Sequence, residues 1–258
     1  MYAELIWKER NIRIDYQWVG VSKIAAPVMV FLHEGLGSVA LWKEFPDALC
    51  QRLHMRGLVY SRPGYGSSTL RNANEFWDVD FMHQQAWDVL PTLLSTLNVK
   101  SPWLFGHSDG GSIALLYASR LTEQCAGAIV VAPHIMVEDI SIRSIDEARQ
   151  SYQDGGLREK LARYHDDVDS AFFGWNDAWL NPAFRDWSIE SELLSIRCPL
   201  LAIQGEHDEY GTLRQITDIK VHVPHTQLLT IADCGHSPHR DQPHAVMTAV
   251  SEFFAHHS

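Results

Sequence analysis

Ser108 stands in Gly106-His107-Ser108-Asp109-Gly110, a Gly-x-Ser-x-Gly pattern whose surroundings decide whether the hydroxyl can do chemistry. A serine is a weak nucleophile until a neighbouring imidazole takes its proton. The imidazole in turn needs a carboxylate on its far nitrogen, to fix the tautomer and steady the imidazolium. His236, in Asp233-Cys234-Gly235-His236-Ser237-Pro238, is the leading candidate for the base, with His239 and His244 close by. Asp208, in Gly205-Glu206-His207-Asp208-Glu209, is the leading candidate for the acid; Glu206, Glu209 and Asp233 are its rivals. The apolar run Trp103-Leu104-Phe105 precedes the serine motif, and a helix-compatible run, 113–118, follows it. Strand, sharp turn and helix form the setting in which this motif carries a nucleophile. The two glycines fit that turn, where a Cβ would collide with the neighbouring strand or helix. A helix starting beside the serine also aims free N–H groups at a developing oxyanion.

The elements needed to position these residues can be read along the chain. Residues 4–19 alternate apolar and polar, which predicts a two-stranded antiparallel ribbon. Continuous apolar runs at 28–32, 57–61, 103–105, 127–132, 199–203 and 227–231 read as buried parallel strands. Helical patterns fall between them, among them an amphipathic stretch over 79–98 that Pro91 should bend. A final helix is expected from about 241 to 255. The alternation predicts an α/β fold, a mostly parallel sheet flanked by helices with right-handed crossovers. It breaks after Pro133: residues 134–187 lack a buried strand and carry charged helical patterns with an aromatic cluster. We therefore expect a core of 1–133 and 188–258 with an inserted helical cap at 134–187. His33-Glu34-Gly35, Asp208 and His236 all follow predicted strands, at the edge where open α/β sheets place their ligands.

At 258 residues the chain can bury roughly 70–75% of its unfolded surface without disulfide or metal staples. A net charge of −11 argues against nucleic acid and anionic membrane as partners and leaves a small-molecule substrate. The four cysteines have no Cys-x-x-Cys spacing and suit reduced thiols in a cytoplasm, with Cys125 and Cys198 in the core. No signal peptide is expected from Met1-Tyr2-Ala3-Glu4-Leu5, and no apolar run approaches a membrane span. The fourteen histidines include no His-Glu-x-x-His, so neither metal nor cofactor is expected. Homo-oligomerisation is left open.

With Ser, Asp and His in that chain order, the sequence resembles the α/β-hydrolase superfamily, close to its small capped esterases, lactonases and carbon–carbon bond hydrolases. The resemblance covers 1–133 and 188–258. It implies Ser108 as nucleophile, Asp208 as acid and His236 as base, and a structural role for the Gly64-Tyr65-Gly66-Ser67 turn. It also implies two oxyanion donors, the backbone N–H groups of Gly35 and Asp109. The family's oxyanion loop usually reads His-Gly, whereas Glu34 stands in the place of that glycine here. Glu34 either supports its neighbours or touches substrate. His107 should point into the sheet, and the Asp109 carboxylate should cap the helix.

The reaction expected is hydrolysis of an ester or lactone through an acyl-enzyme on Ser108. Alternatives are cleavage of a carbon–carbon bond in a vinylogous diketone and ligand binding without turnover. Dehalogenase and epoxide-hydrolase chemistry needs a carboxylate in the place of Ser108. Residues 134–187 hold eleven acids and six Lys or Arg, and the acids should coat the outer face. Phe172, Phe173, Trp175, Trp179 and Trp187 should then roof the pocket, with Trp175 and Trp179 touching substrate. Such a roof selects small to medium, largely apolar esters or lactones over thioesters. The competing expectation is that these aromatics only hold the cap helices together.

Overall fold

The computed structural model describes residues 1–72 and 77–257. β1 (Tyr2–Trp7) and β2 (Arg10–Gly20) form the expected antiparallel ribbon, with Leu5, Ile12 and Ile14 on its buried side. The chain continues through β3 (Val28–Leu32), α1 (Phe45–Leu53), β4 (Arg56–Tyr60), α2 (Phe81–Gln84) and α3 (Leu90–Thr96). Next come β5 (Trp103–His107), α4 (Asp109–Arg120) and β6 (Gly127–Val131). Three helices follow, α5 (Asp139–Gln153), α6 (Gly156–Leu161) and α7 (Val168–Trp179). The remainder is α8 (Glu190–Leu193), β7 (Leu200–Gly205), α9 (Arg214–His222), β8 (Gln227–Ile231), α10 (Pro238–Asp241) and α11 (Pro243–Ala255).

The eight strands make one sheet in the order β1-β2-β4-β3-β5-β6-β7-β8, antiparallel at β1-β2 and β2-β4 and parallel elsewhere. The chain leaves β3 towards β4 on one side and returns to β5 on the other. The loops after β3 and β5 therefore part at a topological switch point, where a crevice opens in such sheets. Alternation along the strands divides the core. Val30, Leu32 and Leu104 face α3 and α4, while Met29, Phe31 and Phe105 face α1 and α11. α4 is buried along its whole length except Arg120, consistent with a sequence apolar on every side.

The helix expected over 79–98 is interrupted, and Pro91 supplies the reason. Gln85–Val89 widens into a π-helical turn between α2 and α3. Pro91 has no N–H to donate, and its ring needs room from the carbonyl one turn back; the wide turn provides it. Of the four cysteines, all buried with free thiols, Cys125 and Cys198 come together with sulfurs 3.8 Å apart. Among the described residues no helix is long and apolar enough to cross a membrane.

The helices between β6 and β7 are tied to one another and to the loops at the strand ends. Tyr152 of α5 stacks on Phe172 of α7 at 3.7 Å, and Asn176 donates to the carbonyl of Ile145. The Asp167 carboxylate accepts from the N–H of Ser170 and caps α7. His165 bridges to the core, facing the N–H of Gly66 at 3.0 Å and the carbonyl of Leu36 at 2.9 Å. None of the eleven acids in 134–187 is buried, as expected.

Candidate active site

Ser108 sits between β5 and α4 with φ 53° and ψ −123°, a conformation that L-residues seldom adopt. The flanking glycines explain how the chain tolerates it. A Cβ on Gly106 would lie 2.2 Å from the carbonyl oxygen of Gly110, and one on Gly110 would lie 2.0 Å from that of Leu32. The turn lifts the hydroxyl off the sheet edge towards His236, whose Nε2 is 3.0 Å from Ser108 Oγ.

His236 follows β8, three strands away from β5, so its loop must fold back over the sheet edge. It does so across the end of β7, where a Cβ on Gly205 would come within 2.2 Å of the Gly235 carbonyl oxygen. That crossing sets His236 Nδ1 2.8 Å from Asp208 Oδ1. The Asp208 carboxylate also accepts from the N–H groups of Tyr210 (2.8 Å) and Gly211 (3.3 Å) and from Gln204 Nε2 (3.1 Å). Burial raises the Asp208 pKa, but the charge and hydrogen bond of His236, with the Tyr210 N–H, outweigh it and hold the acid below its ordinary value. Burial likewise lowers the His236 pKa, and the Asp208 charge and hydrogen bond more than reverse that, leaving it above the ordinary value.

The rivals go elsewhere. Glu206 and Asp233 are exposed, and Glu209 accepts the backbone N–H of His236 at 3.1 Å. His244 is exposed on α11, and His239 is buried against Trp42 and Phe45. His107 departs from the expectation. Alternation places it with Phe105 on the α1 and α11 side, but at the very end of the strand. There its Nε2 bonds the carbonyl oxygen of His236 at 2.8 Å, while Nδ1 lies 3.5 Å from Glu34 Oε2.

A cavity of about 180 Å³ opens beside Ser108, with Gly35, Asp109, His134, Trp175 and Trp179 in its wall. Gly35 follows β3, the strand next to β5, so it and Asp109 reach the cavity wall from two different loops. As the first residue of α4, Asp109 has an N–H with no intrahelical acceptor. Trp175 seats α7 on the Gly35 loop: a Cβ there would lie 2.1 Å from the indole Nε1. Glu34 lines the cavity with its carboxylate engaged, accepting from Arg240 Nη2 at 2.6 Å. Burial raises the Glu34 pKa, but contact with His107 and Arg240 pulls it well below the ordinary value.

Two expectations need correction. The Asp109 carboxylate does not cap α4. It is buried under the roof, where Oδ1 accepts from Trp179 Nε1 at 3.2 Å and Oδ2 lies 3.8 Å from Arg62 Nη2 without a hydrogen bond. Burial lifts its pKa to about 6 against the opposing pull of Arg62 and Trp179. The aromatic cluster also divides. Trp175 and Trp179, one helical turn apart on α7, line the cavity. Phe172 and Phe173 instead pack on Tyr152, and Trp187 packs on Phe184 and His83. Phe172 shares the face of Trp175 and Trp179 but lies about a turn nearer the start of α7, where Tyr152 of α5 covers it, and Phe173 turns off that face onto the edge of the same ring. The wall is also more polar than an apolar roof predicts, because Glu34, Asp109, His134, Glu209 and Arg240 contribute to it.

Sequence reasoning passed over Arg62, His134, His165 and Arg240. Arg62 is fully buried after β4, donating to the carbonyl of Glu34 at 2.8 Å and packing over the Tyr65 ring. His134 follows the end of β6, and Arg240 lies one turn beyond His236. The strand-end rule that singled out Glu34 and Asp208 reaches Arg62 and His134 as well. Among the described residues no group of three or more His, Cys, Asp or Glu is placed to hold a metal ion.

This sheet order agrees with comparison to known proteins. Residues 29–249 match the model of the alpha/beta hydrolase family. The chain belongs to that family. It is similar to 2-succinyl-6-hydroxy-2,4-cyclohexadiene-1-carboxylate synthase of Klebsiella pneumoniae, at 25% identity over 89% of this chain and 94% of the relative. Among solved structures, this hydrolase-family chain resembles the enol-lactonase of Burkholderia xenovorans (TM-score 0.77, 17% identity, 99% of this chain and 100% of that one). It also resembles a thermophilic esterase of Thermogutta terrifontis (TM-score 0.74, 17% identity, both chains covered at 100%). At those identities the structural likeness speaks for the fold.

Proposed function

We propose that this alpha/beta hydrolase cleaves an ester or lactone through an acyl-enzyme on Ser108, with His236 as base, Asp208 as its acid and residues 134–187 as a cap. One observation carries the reading: the relay of 3.0 and 2.8 Å from Ser108 through His236 to Asp208, starting at a serine held in a strained turn. With the substrate carbonyl oxygen between the N–H groups of Gly35 and Asp109, Ser108 Oγ attacks the carbonyl carbon. Its proton passes to His236 Nε2, and the charge on the oxygen is met by the two N–H groups. His236 then returns the proton to the leaving oxygen, which departs as an alcohol, or stays attached when a lactone opens. Water repeats the sequence on the acyl-enzyme, releasing the acid and the free serine.

The cavity limits the substrate. About 180 Å³ is close to the roughly 150 Å³ that holds a benzene ring in an engineered protein cavity. An acyl group or lactone about the size of a six-membered ring suits it. A second reading, cleavage of a carbon–carbon bond in a vinylogous diketone, uses the same three residues. Arg240 favours it, since a guanidinium in the wall can meet a carboxylate, but Glu34 already occupies that cation.

The test is a panel of acyl esters, lactones, thioesters and a diketone run on wild type and Ser108→Ala, with a fluorophosphonate probe. Wild type should label and turn over esters or lactones. Ser108→Ala should lose the label and at least about 10⁴-fold in turnover. Labelling that persists in Ser108→Ala overturns the assignment of the nucleophile.

A further inference from the structure

The carbonyl oxygen of Glu34 gathers more donors than a loop carbonyl needs. The Gly37 N–H reaches it at 3.1 Å, Arg62 Nη2 at 2.8 Å and His33 Nδ1 at 2.7 Å. A carbonyl has two lone pairs, so three donors crowd it. Two of them are costly to bring there, because Arg62 is 1% exposed and His33 is fully buried. The tautomer of His33 follows from its other side. Its Nε2 faces the backbone N–H of Arg62 at 3.0 Å and Arg62 Nε at 3.4 Å. Both are donors only, so Nε2 accepts and the ring proton sits on Nδ1, aimed at the Glu34 oxygen. Burial and the Arg62 charge hold the His33 pKa well below its ordinary value, which keeps the ring neutral.

That oxygen belongs to the peptide unit that carries the Gly35 N–H. Among the described residues no peptide is cis, so the C=O and N–H of this unit point opposite ways in one plane. Fixing the oxygen towards Arg62 and His33 turns the N–H away from them, and Gly35 lines the cavity beside Ser108. Among the described residues that N–H has no acceptor. We infer that Arg62 and His33 are positioning residues for the oxyanion, holding and polarising the Glu34–Gly35 peptide so that its N–H meets the charge developing on the substrate oxygen; this rests on the hydrolase reading above. Donors on a peptide oxygen draw electron density from its nitrogen and strengthen the N–H in turn. Arg62 also stands 3.8 Å from Asp109 Oδ2, so one buried cation lies behind both residues assigned to the oxyanion. The competing account is that Arg62 and His33 only brace the loop, which would serve ground state and transition state alike.

An alkyl trifluoromethyl ketone separates the two accounts. Ser108 Oγ bonds to its carbonyl carbon, the C=O π pair moves onto oxygen, and the serine proton passes to His236 Nε2. The adduct thus holds the charge that an ester carries only in passing. Its inhibition constant, with kcat and KM for the matching ester, is measured on wild type, Arg62→Met, Arg62→Lys, His33→Gln and His33→Asn. Arg62→Met should lower kcat and ketone affinity by about 10- to 100-fold each, with KM within about two-fold of wild type. Arg62→Lys keeps a cationic donor and should recover part of both. His33→Gln offers an oxygen to the Arg62 N–H but no donor in the place of Nδ1, and should lose about five- to ten-fold in kcat and ketone affinity. His33→Asn, whose shorter amide sets its NH2 near the place of Nδ1, should recover most of that loss. Unchanged ketone affinity in Arg62→Met and His33→Gln overturns the positioning role. A KM that rises in step with the loss of ketone affinity overturns it as well, since the loop is then merely braced. Should Arg62→Met fail to fold, the two His33 variants decide. A wild type that neither turns over an ester nor takes a fluorophosphonate label fails the hydrolase reading, and the positioning role falls with it. An active, labelled wild type whose variants keep their ketone affinity fails the positioning role alone.

Discussion

Asp208 and Asp109 are both buried carboxylates in contact with the same site, yet their surroundings treat them in opposite ways. Asp208, at the end of β7, meets two backbone N–H groups, an amide and an imidazole. Asp109, at the start of α4, meets one indole N–H and a guanidinium beyond hydrogen-bond range. The first is held ionised below its ordinary pKa; the second is lifted to about 6. The contrast separates two uses of burial. A carboxylate ringed by donors is fixed in charge and direction, as the partner of a general base must be. A carboxylate left short of donors carries the cost of its burial largely uncompensated, and its charge is the less secure.

Removing the charge at each position breaks the comparison most sharply. Asp208→Asn should cost on the order of 10⁴ in turnover, because the amide presents the wrong tautomer of His236. Its pH–rate profile should also move to lower pH, since the carboxylate that raises the His236 pKa is gone. Glu206→Gln and Asp233→Asn should leave turnover nearly intact. If Asp233→Asn cripples the enzyme instead, the acid is on the wrong strand.

The roof side is probed next. Gly35→Ala places a methyl group where the Trp175 indole lies, so it should displace α7 or the oxyanion loop and cost about 10²-fold in kcat/KM. Trp175→Ala in the same chain should recover part of that loss, because it removes the collision. Equal losses in the single and double variants would show that the indole does not hold the loop.

The smallest effect concerns stability. Asp109 has a raised folded pKa, so its ionisation opposes folding. That penalty begins above the ordinary carboxylate value near 3.8 and is complete once pH passes about 6. Asp109→Asn should therefore be more stable than wild type at pH 8, with the gain vanishing towards pH 4. Asp208→Asn should show the reverse, losing stability at pH 8. Its wild-type carboxylate has a lowered folded pKa, so it stabilises the fold above the ordinary value and stops doing so in acid. Thermal melts at pH 4, 6 and 8 read both signs. A destabilised Asp109→Asn at pH 8 would mean that the ion pair with Arg62 outweighs the cost of burial.

Much of this was legible from residue order. The strands and the turn at Ser108 follow from patterns spanning a few residues, and the structure places both where expected. The helix over 79–98 was legible as a helix, but its π turn was not, because periodicity registers Pro91 only as a bend. The split of the aromatic cluster was hidden for a similar reason. Phe172 and Trp175 share a helix and a residue class, and only the position of α5 assigns one to the interior and the other to the cavity.

The sequence by itself determined the turn that exposes Ser108, since Gly106, Gly110 and the start of α4 act within three residues of it. Residue type and spacing alone did not separate the four acids or the three histidines, because Glu206, Asp208, Glu209, Asp233 and His236 all follow strands and His239 and His244 lie within eight residues of His236. Tertiary structure made that choice by carrying the Gly235 loop across β7 at Gly205, which sets His236 against Asp208 and leaves Asp233 in solvent. It also decided what Glu34, Asp109 and His134 face. Their partners Arg240, Trp179 and Ser112 lie 206, 70 and 22 residues away in the chain, beyond the reach of any local pattern.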